Sequence, residues 1–219
     1  MKELKFIHIT KCGGSSIEDI GKDNNIYWGK YDNLYKDYNL NYHDYPSKFP
    51  LHIQEKYDWF MIVRDPYDRI LSEYYCNWGG IGEFNNPVKH SKNQFNTYLI
   101  NKIKNRNNNN NNTRDGFHYL PQFSYLLNNK NNNVHILKIE NLEKDFKELT
   151  ETYNLNLNLN KHINKSKFIK NFTINDFSFE LIQIINKVYK EDFRIFNYKM
   201  ISKKINHKLG HNIFKIKYM

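Results

Sequence analysis

Leu4-Lys5-Phe6-Ile7-His8-Ile9 is a short β-branched and aromatic run that leads into Gly13-Gly14 and then into Ser15-Ser16-Ile17-Glu18-Asp19-Ile20. The pattern predicts a strand, a glycine loop and a helix, an order that few architectures accommodate. A second apolar run, Asp58-Trp59-Phe60-Met61-Ile62-Val63, stops at Arg64-Asp65-Pro66. Pro66 suits the first turn of a helix over 67–75. A third strand is expected at 134–139, with helices around 118–127, over 141–152 and over 176–193. Strands alternating with helices imply an α/β domain, a central and mainly parallel sheet flanked by helices in three layers.

Between these elements the signal is weaker. Residues 26–57 carry Pro46 and Pro50 without a clean period and are expected to be loop with short elements. Residues 77–116 read as a long surface excursion, with an Asn-rich insertion around 104–114. The alternation Asn154-Leu155-Asn156-Leu157-Asn158-Leu159 fits an edge strand, or a coding bias that places Asn everywhere. The chain of 219 residues is expected to form one domain, 1–219.

Composition must be discounted for that bias. The chain has 35 Asn, no Ala, and five Arg among 33 basic residues, as AT-rich codons would produce. Its mean hydropathy of -0.83 does not signal disorder, because aromatics make up 16%. The net charge of +10 comes mostly from scattered lysines with no dedicated basic tract, so no nucleic-acid partner is expected. Cys12 and Cys76 form neither a disulfide framework nor a metal-ligand spacing. No apolar stretch reaches about 18 residues and no signal peptide is evident, so the expectation is a soluble, cytoplasmic protein without a membrane span.

A strand that feeds a Gly-Gly-Ser-Ser turn opening a helix is suited to anion binding. Glycines let backbone N–H groups approach oxygens, the helix N-terminus adds partial positive charge, and Ser15 and Ser16 add hydroxyls. Lys11 adds a full charge. It precedes the glycines, whereas the nucleotide P-loop G-x-x-x-x-G-K-[ST] places Lys after them, so this is not a Walker motif. Taken alone, the turn is equally a simple strand-to-helix joint. Arg64 and Arg69 shift the balance, because in a Lys-rich chain a retained Arg points to a need for a planar fork of donors. Arg64 lies at a strand's C-terminal end, where open α/β sheets bind ligands, and Ser72 follows two helical turns on. For Arg69 the expected role is an ion pair with Asp65 or Asp68.

Phe6-Ile7-His8-Ile9-Thr10-Lys11-Cys12-Gly13-Gly14-Ser15-Ser16-Ile17 resembles the 5′-phosphosulfate loop of the sulfotransferases, and residues 63–75 resemble that family's 3′-phosphate motif. Further resembling pieces follow at 118–122, 136–142 and 188–193, with Tyr198 after them. The likeness is nearest to the Golgi-type carbohydrate branch, including the heparan 2-O-sulfotransferase-like group. It implies a P-loop-like α/β fold, 3′-phosphoadenosine 5′-phosphosulfate (PAPS) as donor, 3′-phosphoadenosine 5′-phosphate (PAP) as product, and no metal. It also implies that Lys11 and the stretch Cys12, Gly13, Gly14, Ser15 and Ser16 hold the 5′-phosphosulfate, and that Arg64 and Ser72 hold the 3′-phosphate. Cys12 stands where relatives often carry Thr.

Sulfuryl transfer needs an in-line nucleophile, positive charge near the leaving group and a base for the hydroxyl proton. Lys11 suits the second need. For the base, His43 is the first candidate, in a loop before the second strand where carbohydrate-sulfating relatives place a catalytic His. His52 is second, with Glu18 and Asp44 as carboxylate alternatives. His118 and Gln122, one turn apart on the expected helix, are candidates to face an acceptor glycan or other hydroxyl substrate, or else to cap and pack. His162, Asn164 and Ser166 are candidates for a loop over the donor. Two further readings stay open: transfer to a tyrosine or small alcohol, and a non-catalytic phosphate- or nucleic-acid-binding module.

Overall fold

A computed structural model describes residues 2–77, 80–81, 90–106, 117–126, 134–159, 171–203 and 216–218. Strands β1 (Leu4–Ile7), β2 (Asp58–Val63) and β3 (Val134–Lys138) form a parallel sheet in the order β1-β2-β3. Phe6 pairs with Phe60, and Met61 with Ile136. β2 is the middle strand, and Trp59 through Val63 are all at most 1% exposed. That explains its unbroken apolar run: a central parallel strand is covered on both faces. β3 lies at the edge, and its Ile136 is 41% exposed.

Helices flank the sheet. Helices α1 (Gly14–Asp23) and α6 (Leu142–Thr152) bury Ile17, Ile20, Phe146 and Leu149 in one apolar cluster with the strands. The short helices α2 (Asn33–Asp37) and α3 (Leu51–Lys56) fill the 26–57 connection and close the same cluster with Tyr35 and Ile53. A second cluster joins α4 (Pro66–Tyr74), α5 (Lys92–Lys104), α7 (Phe179–Val188) and α8 (Lys190–Ile195). α4 starts where the Pro66 signal placed it, with the Asp65 carboxylate accepting the N–H groups of Tyr67 and Asp68. A two-stranded antiparallel pair, β4 (Ile201–Lys203) with β5 (Ile216–Tyr218), completes the described elements.

Four expectations change. The 77–116 excursion contains α5, which starts at a Ser91–Gln94 capping box and buries Phe95, Leu99 and Ile103. The helix expected around 118–127 is a turn followed by one 3₁₀ segment, Gln122–Leu126. The helix expected over 176–193 starts at the Ser178 cap and breaks at Tyr189 into α7 and α8. The 154–159 alternation is no strand. Its leucines still pack inward, Leu157 fully and Leu155 and Leu159 in part, along an irregular segment that pairs with no strand among the described residues.

The Asn bias has a structural use. Asn25, Asn39, Asn154 and Asn197 all adopt left-handed φ of 54–58°, each one residue past the C-cap of α1, α2, α6 and α8. Next-residue N–H bonds from Ile26 to Gly21, Leu40 to Tyr35, Leu155 to Thr150 and Tyr198 to Phe193 complete the helix-ending pattern that glycine usually provides. The Asn tract 107–112 and residues His162, Asn164 and Ser166 lie outside the described residues.

Candidate functional site

The site begins where β1 ends. Thr10 to Gly13 form the turn, in which Lys11 at φ 60° and Gly13 at φ 83° are both left-handed. Lys11 is neither Gly nor Asn, so its backbone is strained, and such strain concentrates where a ligand is held. Gly13 is the N-cap of α1, and neither a side-chain cap nor an acidic residue in the first turn competes for that helix end. It packs against Ile139 and Leu142 of the β3–α6 connection. Gly14 meets His8 so closely that a Cβ would lie 2.6 Å from the ring Nε2. Both glycines are therefore required, one for conformation and one for space. The turn presents Lys11, Gly13 and Ser15 half-exposed, while Cys12 is buried.

Arg64 leaves the end of β2 and meets this turn. Its guanidinium donates to the Lys11 carbonyl at 3.3 Å. Among the described residues, neither Lys11 nor Arg64 forms an ion pair with a carboxylate, although many other cations of the chain do. Two unneutralised cations beside an uncapped helix N-terminus form an anion cradle. Ser72 sits on the half-buried stripe of α4 that also carries Asp65 and Asp68, pointing away from the apolar cluster.

Arg69, one turn on from Asp65 along α4, is turned inward and is 1% exposed. Its partners are not Asp65 or Asp68, as expected from the sequence, because both lie on the outer stripe. Its guanidinium donates to the Thr10 carbonyl and hydroxyl and to the carbonyls of Leu120 and His118, at 2.7–3.1 Å, with Glu73 at 3.7 Å as counter-charge. Arg69 thus ties α4 to the residue just before Lys11. The two halves of the motif pair become one rigid unit.

Gln122 and His118 do not face outward; of the two roles left open, facing an acceptor or capping and packing, their burial fits packing. Gln122 is 0% exposed, and its amide group bonds both backbone groups of Arg64, accepting the N–H at 2.9 Å and donating to the carbonyl at 2.8 Å. It also accepts the Cys12 thiol at 3.3 Å, while the fully buried Asp192 accepts its backbone N–H at 2.9 Å. Gln122 therefore clasps β2, the cradle and α8 together. Burial pushes the Cys12 thiol up to about 12, with Arg69 and Arg64 opposing, so this sulfur is an inert donor. His118 is 7% exposed and hydrogen-bonds Glu73 at 2.6 Å. Its burial favours the neutral ring, but the Glu73 carboxylate and Cys76 outweigh that and raise its pKa to about 10. Glu73 also accepts the Thr10 hydroxyl at 2.7 Å.

His43 lies beside the cradle, and its Nδ1 bonds the His8 carbonyl at 2.9 Å. A carbonyl only accepts, so Nδ1 carries the hydrogen and Nε2 the lone pair. Burial first, then the neighbouring His8 and His118, push its pKa well below the usual value, so the ring is neutral near pH 7. His52 is exposed on α3, which precedes β2 and so lies at the opposite end of the sheet from the cradle. It is not brought to the site. Asp44 is buried and paired with Lys48 in the His43 loop, and Glu18 is fully buried against His8. Sequence reasoning missed His8, Glu73 and Asp192. A histidine and a lysine inside an otherwise apolar strand were the available signal for the first; nothing local marked the other two.

The arrangement can hold a diphosphorylated or phosphosulfate group and place a neutral imidazole next to it. A scan against protein families matches residues 2–199 to the sulfotransferase family. Searches of curated proteins and of solved structures return no match. Among the described residues no helix is long and apolar enough to cross a membrane. With the parallel sheet, the glycine cradle and the Arg64 motif in their places, and the family matched along nearly its whole length, the chain belongs to the sulfotransferase family.

Proposed function

We propose that this chain transfers a sulfuryl group from PAPS to a hydroxyl of a carbohydrate. The observation that carries the reading is the pair of unneutralised cations, Lys11 and Arg64, at the uncapped N-terminus of α1, with the neutral His43 beside them. The cradle fits the donor's anionic groups: Lys11, the backbone of Cys12 to Ser16 and the hydroxyls of Ser15 and Ser16 hold the 5′-phosphosulfate, and Arg64 with Ser72 holds the 3′-phosphate. PAPS, when bound, supplies the activated sulfuryl group. Lys11 then stabilises charge growing on the leaving phosphate, an interaction strongest in the transition state. His43 Nε2 takes the acceptor hydroxyl's proton, and the His8 carbonyl holds the imidazolium that results. Cys12 contributes backbone rather than a hydroxyl contact, because its thiol is already given to Gln122.

The test is transfer of radiolabelled sulfate from PAPS to panels of oligosaccharides, tyrosyl peptides and small phenols or alcohols. Label on sugars, lost in His43→Ala with PAP binding kept, is the expected result. Label confined to peptides or phenols would replace the acceptor class, and no transfer to any panel member would overturn the catalytic reading.

A further inference from the structure

His8 and Glu18 lie outside the residues assigned above to donor binding. Glu18 on α1 is 0% exposed. Its Oε1 accepts the His8 Nδ1–H at 2.6 Å and the Lys30 N–H at 2.9 Å. Its Oε2 is buried without a hydrogen bond, and the Lys30 ammonium stands 3.7 Å away. A buried carboxylate with an unsatisfied oxygen is a poor way to stabilise a fold, so its presence asks for another role. The other edge of the His8 ring abuts Gly14. Held on both edges, His8 has one ring orientation. His43 stands edge-on to it, with centroids 4.5 Å apart at 72°, and Tyr42 and Phe117 bound the His43 ring on further sides at 4.2 and 5.9 Å.

We propose that His8, locked by Glu18, is a positioning residue for His43: its carbonyl accepts the Nδ1–H hydrogen bond and its ring fixes the His43 plane, so that Nε2 is the one basic atom. A free imidazole exchanges its proton between the two nitrogens, and only a fixed tautomer offers the lone pair to the acceptor in every molecule. The titratable groups facing His43 are His8 from the segment after β1 with Glu18 of α1 behind it, His118 from the turn near Phe117, and Tyr42 and Asp44 of its own loop, the last paired with Lys48. That His43 is the base rests on the function proposed above. The state of its ring does not, and can be measured without donor or acceptor.

The experiment is two-bond ¹H–¹⁵N NMR of the ¹⁵N-histidine-labelled full chain over a pH titration, with His43 assigned by its loss in His43→Gln. In the wild type, Nδ1 is expected to be protonated and Nε2 bare throughout the neutral range. In His8→Gln, which keeps the carbonyl but not the ring, the two nitrogens are expected to average between tautomers and the acid transition to move up by about one pH unit. Glu18→Gln serves the same purpose if His8→Gln does not fold. A wild-type His43 protonated at Nε2 overturns the proposal with no variant needed, and so does a folded variant whose His43 tautomer and transition match the wild type. Failure of the wild type to bind PAP would instead remove the function and leave this tautomer result standing.

Discussion

Two histidine–carboxylate couples lie on either side of Thr10, each with a 2.6 Å hydrogen bond and a carboxylate at most 1% exposed. On the α4 side, Glu73 is fully engaged: His118 on one oxygen, the Thr10 hydroxyl on the other, and Arg69 as counter-charge. On the α1 side, Glu18 has one oxygen without a hydrogen bond, and its histidine leans on His43. The first couple closes a buried charge network and joins the Lys11 turn to α4; the second is under-satisfied and leans on His43, the base in the proposed reaction. Satisfied burial suits a scaffold, whereas an under-satisfied buried carboxylate calls for another role, here the proposed positioning of His43.

The largest expected effect separates them. Glu73→Gln leaves the Arg69 guanidinium buried without its counter-charge and is expected to cost roughly 3–5 kcal/mol in urea unfolding. Glu18→Gln, which removes a charge whose second oxygen has no hydrogen bond and whose counter-ion Lys30 reaches solvent, is expected to change stability by less than about 1 kcal/mol. Equal losses would erase the distinction. Gln122→Leu comes next, at about 2–3 kcal/mol, because it leaves both backbone groups of Arg64 and the Cys12 thiol without their side-chain partner.

The pH dependence of stability sharpens the α4 side. The His118 pKa rises on folding from 6.5 to about 10, so its contribution is fully present below about pH 6.5 and is lost as pH rises through 10. The melting temperature of the wild type should fall across that window, and His118→Gln should flatten the fall. A wild-type curve that rises there would contradict the assignment. The smallest effect is expected at Cys12. The thiol is buried and protonated, so it should stay unreactive toward alkylating reagents in the folded chain near neutral pH, and Cys12→Ser should leave PAP affinity within about threefold.

Much of this was legible in the sequence because its signals are local. The runs Leu4 to Ile9 and Asp58 to Val63, the Gly13-Gly14 turn and Pro66 marked strands and helix starts to within two or three residues. The cradle and Arg64 were legible for the same reason. The role of Arg69 was half legible: its structural nature followed from spacing, but its partners Thr10, Leu120 and His118 are 49–59 residues away and no helical period marks them. Gln122 was left between facing an acceptor and packing because a helix was expected, whereas a 3₁₀ turn points its amide inward at Arg64. His8 was invisible as a partner of His43, since the backbone-carbonyl bond and the ring contact join positions 35 residues apart. Asn25, Asn39, Asn154 and Asn197 show a subtler loss: composition bias hid residues that end helices.

The central claim is that the cradle and Arg64 together hold a nucleotide with phosphates at both 3′ and 5′ positions. Calorimetry of the wild type, Lys11→Ala and Arg64→Ala with PAP and with ATP tests it most directly. PAP is expected to bind in preference to ATP, and each substitution to weaken it by roughly 10–100-fold, the worth of a charge-assisted contact. A preference for ATP, or PAP binding unchanged in both variants, would contradict the account.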